Sequence, residues 1–369
     1  MDPLRHPTLP EGIRSRFVED INGLTMHLLE AGEAGRPALL LLHGFPELAY
    51  SWRKVMLPLA EMGFHVIAPD QRGYGRTTGW DDSYDADLRP FAMLNLIRDQ
   101  LALLGTLGLE HVHAVIGHDF GSPVAAHCAL VRPDVFRRVA LMSAPHAGAP
   151  RIGDHRSAAV TRVSPALAAL PRPRKHYHWH YAQRGANGEL MACPQGLHAF
   201  FRAYYHHKSG DWAGNDVHPL KGWTAEELAK LPTYYVMDLA ETMPETVAHE
   251  MPSPAQIAAC AWMTEAEMAV YAQEYGRSGF QGGLNWYRTR FTATNMEMEA
   301  FAGRRIDVPA TFIGGARDWG IHQGPGALEA MATTATSDWR GTHLVPGAGH
   351  WVQQEKPEET VALLRDFLR

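Results

Sequence analysis

The chain has 369 residues, of which 46% are hydrophobic and 20% charged, a globular composition long enough for one large domain with an insertion or for two modest ones. A formal net charge of -6 supplies no basic field for nucleic acid or an anionic membrane surface, so neither is expected as a partner. Cys128, Cys193 and Cys260 stand far apart without CxxC spacing, which argues against a disulfide framework or a zinc site and points to a reducing cytoplasm; no apolar signal core or bilayer-spanning run is seen.

In chain order, Phe17 to Ala31 predicts a β-hairpin turning at Asn22-Gly23, a dipeptide suited to the positive φ angles of a tight turn. Pro37 then introduces Ala38-Leu39-Leu40-Leu41-Leu42, a continuous apolar run that suits the middle of a parallel sheet covered on both faces, and it ends in His43-Gly44-Phe45-Pro46. A helix is expected from Tyr50 to Glu61, a strand from His65 to Ala68 and a helix from Arg89 to Gly108. A strand over His111 to Ile116, an apolar helix from Val124 to Leu130 and a strand from Val135 to Met142 follow. Strands alternating with helices predict a doubly wound, mostly parallel α/β sheet.

The alternation stops in the turn-rich passage from Ala144 to Pro150 and resumes at Val308-Pro309-Ala310-Thr311-Phe312-Ile313. Between them, aromatics, histidines and short helical patterns at Thr224 to Lys230 and Thr264 to Arg277 predict a helical cap inserted into the sheet domain. The expected division is 1–146 and 301–369 for the sheet domain and 147–300 for the cap. From Asp211 to Ala261 repeated prolines leave no period from which to draw elements. A strand at Thr342 to Val345 and an amphipathic helix after Pro357 close the chain.

Val115-Ile116-Gly117-His118-Asp119-Phe120-Gly121 has the frame of a nucleophile elbow, a sharp strand-to-helix turn, with aspartate where such turns commonly carry serine. Gly117 and Gly121 let the backbone crowd, Ser122 is expected to cap the helix, and Pro123 suits its first turn. At a helix N-terminus the dipole and free amides keep the Asp119 carboxylate ionised. A carboxylate nucleophile implies alkyl transfer through an ester, and a separately activated water must then hydrolyse that ester.

The base and its orienting acid are found in the matching places. Gly314-Gly315-Ala316-Arg317-Asp318 and Gly347-Ala348-Gly349-His350-Trp351 each follow a predicted strand, placing Asp318 and His350 at the same sheet edge as Asp119. Singly, Asp119 reads as a helix cap, Asp318 as a turn former and His350 as a surface histidine; together, three loops supply a nucleophile, acid and histidine in the order this architecture uses. The backbone N–H groups of Phe45 and Phe120 are placed to hold an oxyanion. His43, Pro46, Trp286 and Trp351 flank this site and are expected to line a substrate pocket.

The segments HGFPE, YSWR, DQRGYG, GHDFG, NWYR and AGHW together resemble the epoxide hydrolases of the α/β-hydrolase superfamily, over nearly the whole chain from about residue 16. The resemblance implies an α/β-hydrolase fold with a cap, no cofactor and no metal, and conversion of a small apolar epoxide to a vicinal diol. It also implies two cap tyrosines that bind and protonate the epoxide oxygen. Tyr287, in Asn285-Trp286-Tyr287-Arg288, takes the second role, and Tyr181 takes the first with Tyr177 as its competitor. A phenol is neutral at pH 7 and donates a hydrogen bond, so two of them stabilise a developing alkoxide.

Haloalkane dehalogenases share the aspartate, but Phe120 has no N–H with which to hold a halide as their tryptophan does, and Ser122-Pro123-Val124 lacks the arginines of fluoroacetate dehalogenases. A haloalkane dehalogenase-like hydrolase, disfavoured by Phe120, and a ligand-binding member that lost turnover are the alternatives, and an esterase would need a serine nucleophile, for which no G-x-S-x-G is present. Histidines at 176, 178, 180, 206 and 207 come without carboxylate spacing and are read as pocket-lining or solvated rather than metal-binding. A monomer and a homodimer are both compatible with the sequence.

Overall fold

The computed structural model describes residues 2–153 and 157–369. Strands β1 (Arg14–Ile21) and β2 (Leu24–Ala31) form the expected hairpin, with Asn22 at φ 51° in the turn. They are followed by β3 (Ala38–Leu42), β4 (His65–Pro69), β5 (Ala114–His118) and β6 (Val139–Met142). An insertion contributes a small antiparallel pair, β7 (Arg174–His176) with β8 (Val236–Asp238), before β9 (Ala310–Gly315) and β10 (Trp339–Val345) return to the main sheet.

The main sheet has eight strands in the order β1-β2-β4-β3-β5-β6-β9-β10. From β4 to β10 every pairing is parallel, while β2 runs antiparallel to both its neighbours. β3, β4, β5, β6 and β9 are buried along their whole length, as continuous apolar runs covered on both faces must be, whereas edge strand β10 alternates between part-buried and exposed residues. The register aligns the C-terminal ends: Leu42 pairs with Gly117, His118 with Met142, Met142 with Ile313, and Gly315 with Val345. Five loops therefore leave one edge of the sheet together.

Several boundaries differ from the sequence reading. β5 begins at Ala114 rather than His111, where the paired register with Leu39 of β3 starts, and it runs on through Gly117 and His118 into the turn. β6 is shorter than expected, since the Val135 and Phe136 amides are drawn back to the Arg132 carbonyl in a turn that follows the preceding helix. The helix expected from Arg89 breaks at the extended Ala92 into a short turn over Arg89–Phe91 and a helix over Met93–Thr106. The first helix likewise splits into Ala49–Trp52 and Arg53–Glu61.

Between β6 and β9 the chain is mainly helical, with its longest helices at Ser157–Ala168, Gly196–Lys208 and Glu265–Ser278. The part without a legible period holds short helices started by side chains: Thr242 with Glu245 and Ser253 with Gln256 form capping boxes before Met243–Ala248 and Pro254–Ala259. This insertion is bolted to the sheet domain. Arg53 pairs with Glu267 at 2.7 Å, Tyr271 hydrogen-bonds Ser51 and Gln354, and the Tyr205 and Tyr275 hydroxyls donate to the carbonyls of Pro46 and Glu47.

Candidate active site

Asp119 stands at the turn between β5 and the helix Gly121–Val131, at φ 49°, a conformation that only a tightly held non-glycine residue adopts. The turn needs its glycines: a Cβ on Gly117 would lie 2.1 Å from the Gly121 carbonyl oxygen, and one on Gly44 2.4 Å from Asp119 itself. Ser122 does not cap the helix; it sits inside the first turn, donates its hydroxyl to the Ala144 carbonyl and gives its amide to the Asp119 carbonyl. The cap position is Phe120, without a side-chain cap.

Three of the expected side chains form one chain of contacts. Oδ2 of Asp119 lies 3.0 Å from Nε2 of His350, and Nδ1 of His350 lies 3.1 Å from each carboxylate oxygen of Asp318. Asp318 is fixed in turn by the Gly320 amide at 2.6 Å. The Phe45 amide donates to Oδ1 of Asp119 at 2.9 Å, and the Phe120 amide lies at the same spot, 2.6 Å from where a Cβ on Gly44 would stand.

Burial alone would raise the Asp119 pKa, but the hydrogen bond and charge of His350 outweigh it and hold the carboxyl well below the usual range. Burial and the Lys208 ammonium push His350 down, yet the Asp318 charge and the hydrogen bonds to both carboxylates prevail and lift it to about 9. The resting site is thus an imidazolium between two carboxylates.

Above it, Tyr181 and Tyr287 face one another with ring centroids 5.1 Å apart, and Phe45 touches both, at 5.3 and 5.4 Å. Burial pushes both phenols up, so they stay protonated and available as donors. The Tyr181 hydroxyl is buried beside that of Tyr204, whereas that of Tyr177 is committed to Gln323 at 3.0 Å.

The four flanking residues fall in different places. Trp286 packs against Phe120 at 5.1 Å, donates its N–H to the Arg72 carbonyl and lines a cavity. Trp351 is stacked on Tyr205 at 4.1 Å and bonds the Tyr205 carbonyl. His43 is fully buried, its Nδ1 donating to the Gly44 carbonyl and its Nε2 accepting from the Gln71 amide, which leaves no polar atom for a ligand. Pro46 follows a cis peptide and gives its carbonyl to Tyr205.

Two further residues were not singled out by the sequence reading although both stand inside quoted motifs. Glu47 and His118 form a fully buried pair, with Nδ1 of His118 at 2.5 Å from Glu47 and Nε2 at 2.7 Å from the His350 carbonyl. Both ring nitrogens of His118 thus face oxygen atoms, one on the Glu47 carboxylate and one on the His350 carbonyl. Ser143 also donates to the His350 carbonyl, and the Lys208 carbonyl accepts the His350 amide. Glu355 accepts the amides of Gly349 and Trp351 on either side of His350 and that of Gly210 from the insertion.

The strand order, the loops gathered at one edge and the carboxylate at the elbow define an α/β-hydrolase of the aspartate type. A family profile described as alpha/beta hydrolase fold matches residues 37–165. Epoxide hydrolase A of Mycobacterium tuberculosis is 32% identical over 366 residues, covering 97% of this chain and 98% of that protein. Epoxide hydrolase B of the same organism is 34% identical over 347 residues, covering 90% and 91%. Among solved structures, an epoxide hydrolase from an endophytic Streptomyces superposes with a TM-score of 0.79 at 32% identity, over 97% of this chain and 96% of that one. Epoxide hydrolase A from Mycobacterium thermoresistibile gives 0.76 at 34% identity, over 97% and 98%. The chain belongs to the epoxide hydrolase family.

Proposed function

We propose that this enzyme opens an epoxide through an Asp119 ester and releases a vicinal diol. The observation that carries the reading is Asp119 itself, held between the Phe45 amide and His350 with two unionised phenols facing one another above the site. Oδ of Asp119 forms a bond to a ring carbon, the ring C–O bond breaks, and the alkoxide takes a proton from Tyr181 or Tyr287. The engagement of the Tyr177 hydroxyl with Gln323 supports Tyr181 over Tyr177. Forming the ester removes the Asp119 charge, one of the influences that keep His350 protonated, so His350 gives up its proton, which restores the phenol, and the neutral imidazole then accepts a proton from water. Asp318 orients it and stabilises the imidazolium that re-forms. Water attacks the ester carbonyl, the Phe45 and Phe120 amides hold the oxyanion, and the diol leaves with an oxygen from Asp119.

The same reading takes 1–146 and 301–369 as the core and 147–300 as the cap, supported by the run of helices between β6 and β9. Cytoplasmic location is part of the proposal, supported by three free thiols; among the described residues no helix is long and apolar enough to cross a membrane.

The test is a single turnover with excess enzyme and styrene oxide in oxygen-18 water, with Asp119→Ala as control. Unlabelled diol in the first turnover, absent from the control, is the expected result; labelled diol means direct attack by water and overturns the scheme.

A further inference from the structure

We propose that the preferred substrate carries a carboxylate on its apolar body and that Arg290 binds it; this rests on the epoxide reading above. A cavity of about 180 Å³ opens beside Phe120 and Trp286. Its walls are mainly apolar, including Phe91, Leu96, Val160 and Met298. An apolar cavity of about 150 Å³ takes benzene, so the space suits an aryl or short alkyl body.

Arg290 is the anomaly in this wall. Its guanidinium carbon lies 4.8 Å from the centroid of the Phe120 ring, one residue from Asp119, and its Nε is buried without a hydrogen-bond partner. The arginines buried more deeply than Arg290 are matched: Arg53 with Glu267, Arg72 with Asp99, Arg202 with Glu265, and Arg174 with the Val236 carbonyl. Arg290 makes no ion pair and no hydrogen bond among the described residues. Glu299 lines the same cavity, but its carboxylate accepts the Gly153 amide and does not pair with Arg290.

A half-buried cation facing an apolar space without an ion-pair partner among the described residues carries a desolvation cost that an aromatic face offsets only in part, and a bound anion relieves it. One planar fork and no second cation match a monoanionic carboxylate, which arginine takes bidentately, better than a dianionic phosphate. His178 also lines the cavity and is kept neutral by burial and by the charge of Arg290, so it does not repel or neutralise an acid there.

The experiment compares 4-carboxystyrene oxide with its methyl ester on wild type, Arg290→Met and Arg290→Lys. The readout is the acid-to-ester ratio of kcat/KM within each enzyme, which cancels losses of folded protein. Wild type is expected to favour the acid, Arg290→Met to lower that ratio about tenfold or more, and Arg290→Lys to retain part of it. A wild-type ratio at or below one, or a ratio that Arg290→Met leaves unchanged, overturns the proposal while the ester's turnover still upholds epoxide hydrolysis. Failure of wild type to hydrolyse either compound overturns both.

Discussion

On the proposed mechanism Asp119 loses its charge when it becomes an ester, and His350 registers that loss. Asp119→Asn imitates the neutral state, so the His350 imidazole, held at about 9 in the resting site, is expected to titrate lower in that variant. Imidazole NMR shifts followed against pH report this directly, and an unchanged titration would contradict the coupling. In the same proposal the tyrosines act at the other end of the reaction. Tyr287→Phe and Tyr181→Phe should each slow ester formation about 100-fold or more in pre-steady-state kinetics, the range of a lost general acid. Tyr177→Phe removes only a hydroxyl bonded to Gln323 and should cost far less. Asp119, Asp318 and His350 were legible from sequence because each ends a predicted strand at one sheet edge. The Glu47–His118 pair was not, since its partners are 71 residues apart and meet only through the register that sets Leu42 beside Gly117. Nor was the isolation of Arg290, for a missing partner is a property of space and not of spacing.

At the scale of elements, the loop that carries His350 is held by the next helix. Glu355, in Val352–Glu355, reaches back to the Gly349 and Trp351 amides and across to Gly210. Glu355→Gln sets an amide donor against one of these N–H groups, and about 1–3 kcal/mol of stability is expected to go with it. Because the distortion falls beside His350, ester hydrolysis should slow more than ester formation, which single-turnover mixing followed by mass analysis of the protein resolves. Equal slowing of both steps would show that the loop does no more than stabilise. The parallel strands and the two flanking helices were readable from apolar runs, with errors concentrated where a turn borrowed residues from a strand, as at Arg132 to Phe136. The stretch from Asp211 to Ala261 lacked a period because its helices run only four to six residues, too short to show one, and their capping boxes were the signal to read instead.

The molecule as a whole should be sensitive to acid through the open edge of its sheet. Burial would raise Glu30, but hydrogen bonds from His65 and Arg16 bring it down to about 2, and Asp70, beside His27, is likewise held at about 2 against its burial. Folded values below the unfolded ones of about 4 mean stability that is complete above that pH and is lost as pH falls toward 2. The urea midpoint of Glu30→Gln should therefore trail wild type by a constant margin above about pH 5 and converge on it below; a margin that persists to pH 2 would refute the assignment.

Lys208 belongs to the insertion, yet its carbonyl steadies the amide of His350. Exchanging the insertion for that of a relative, an obvious route to new substrates, would also exchange a strut of His350. Specificity and turnover are thus not separately inheritable parts here, and recombination that respects the seam between them must carry the segment ending at Gly210 with the core.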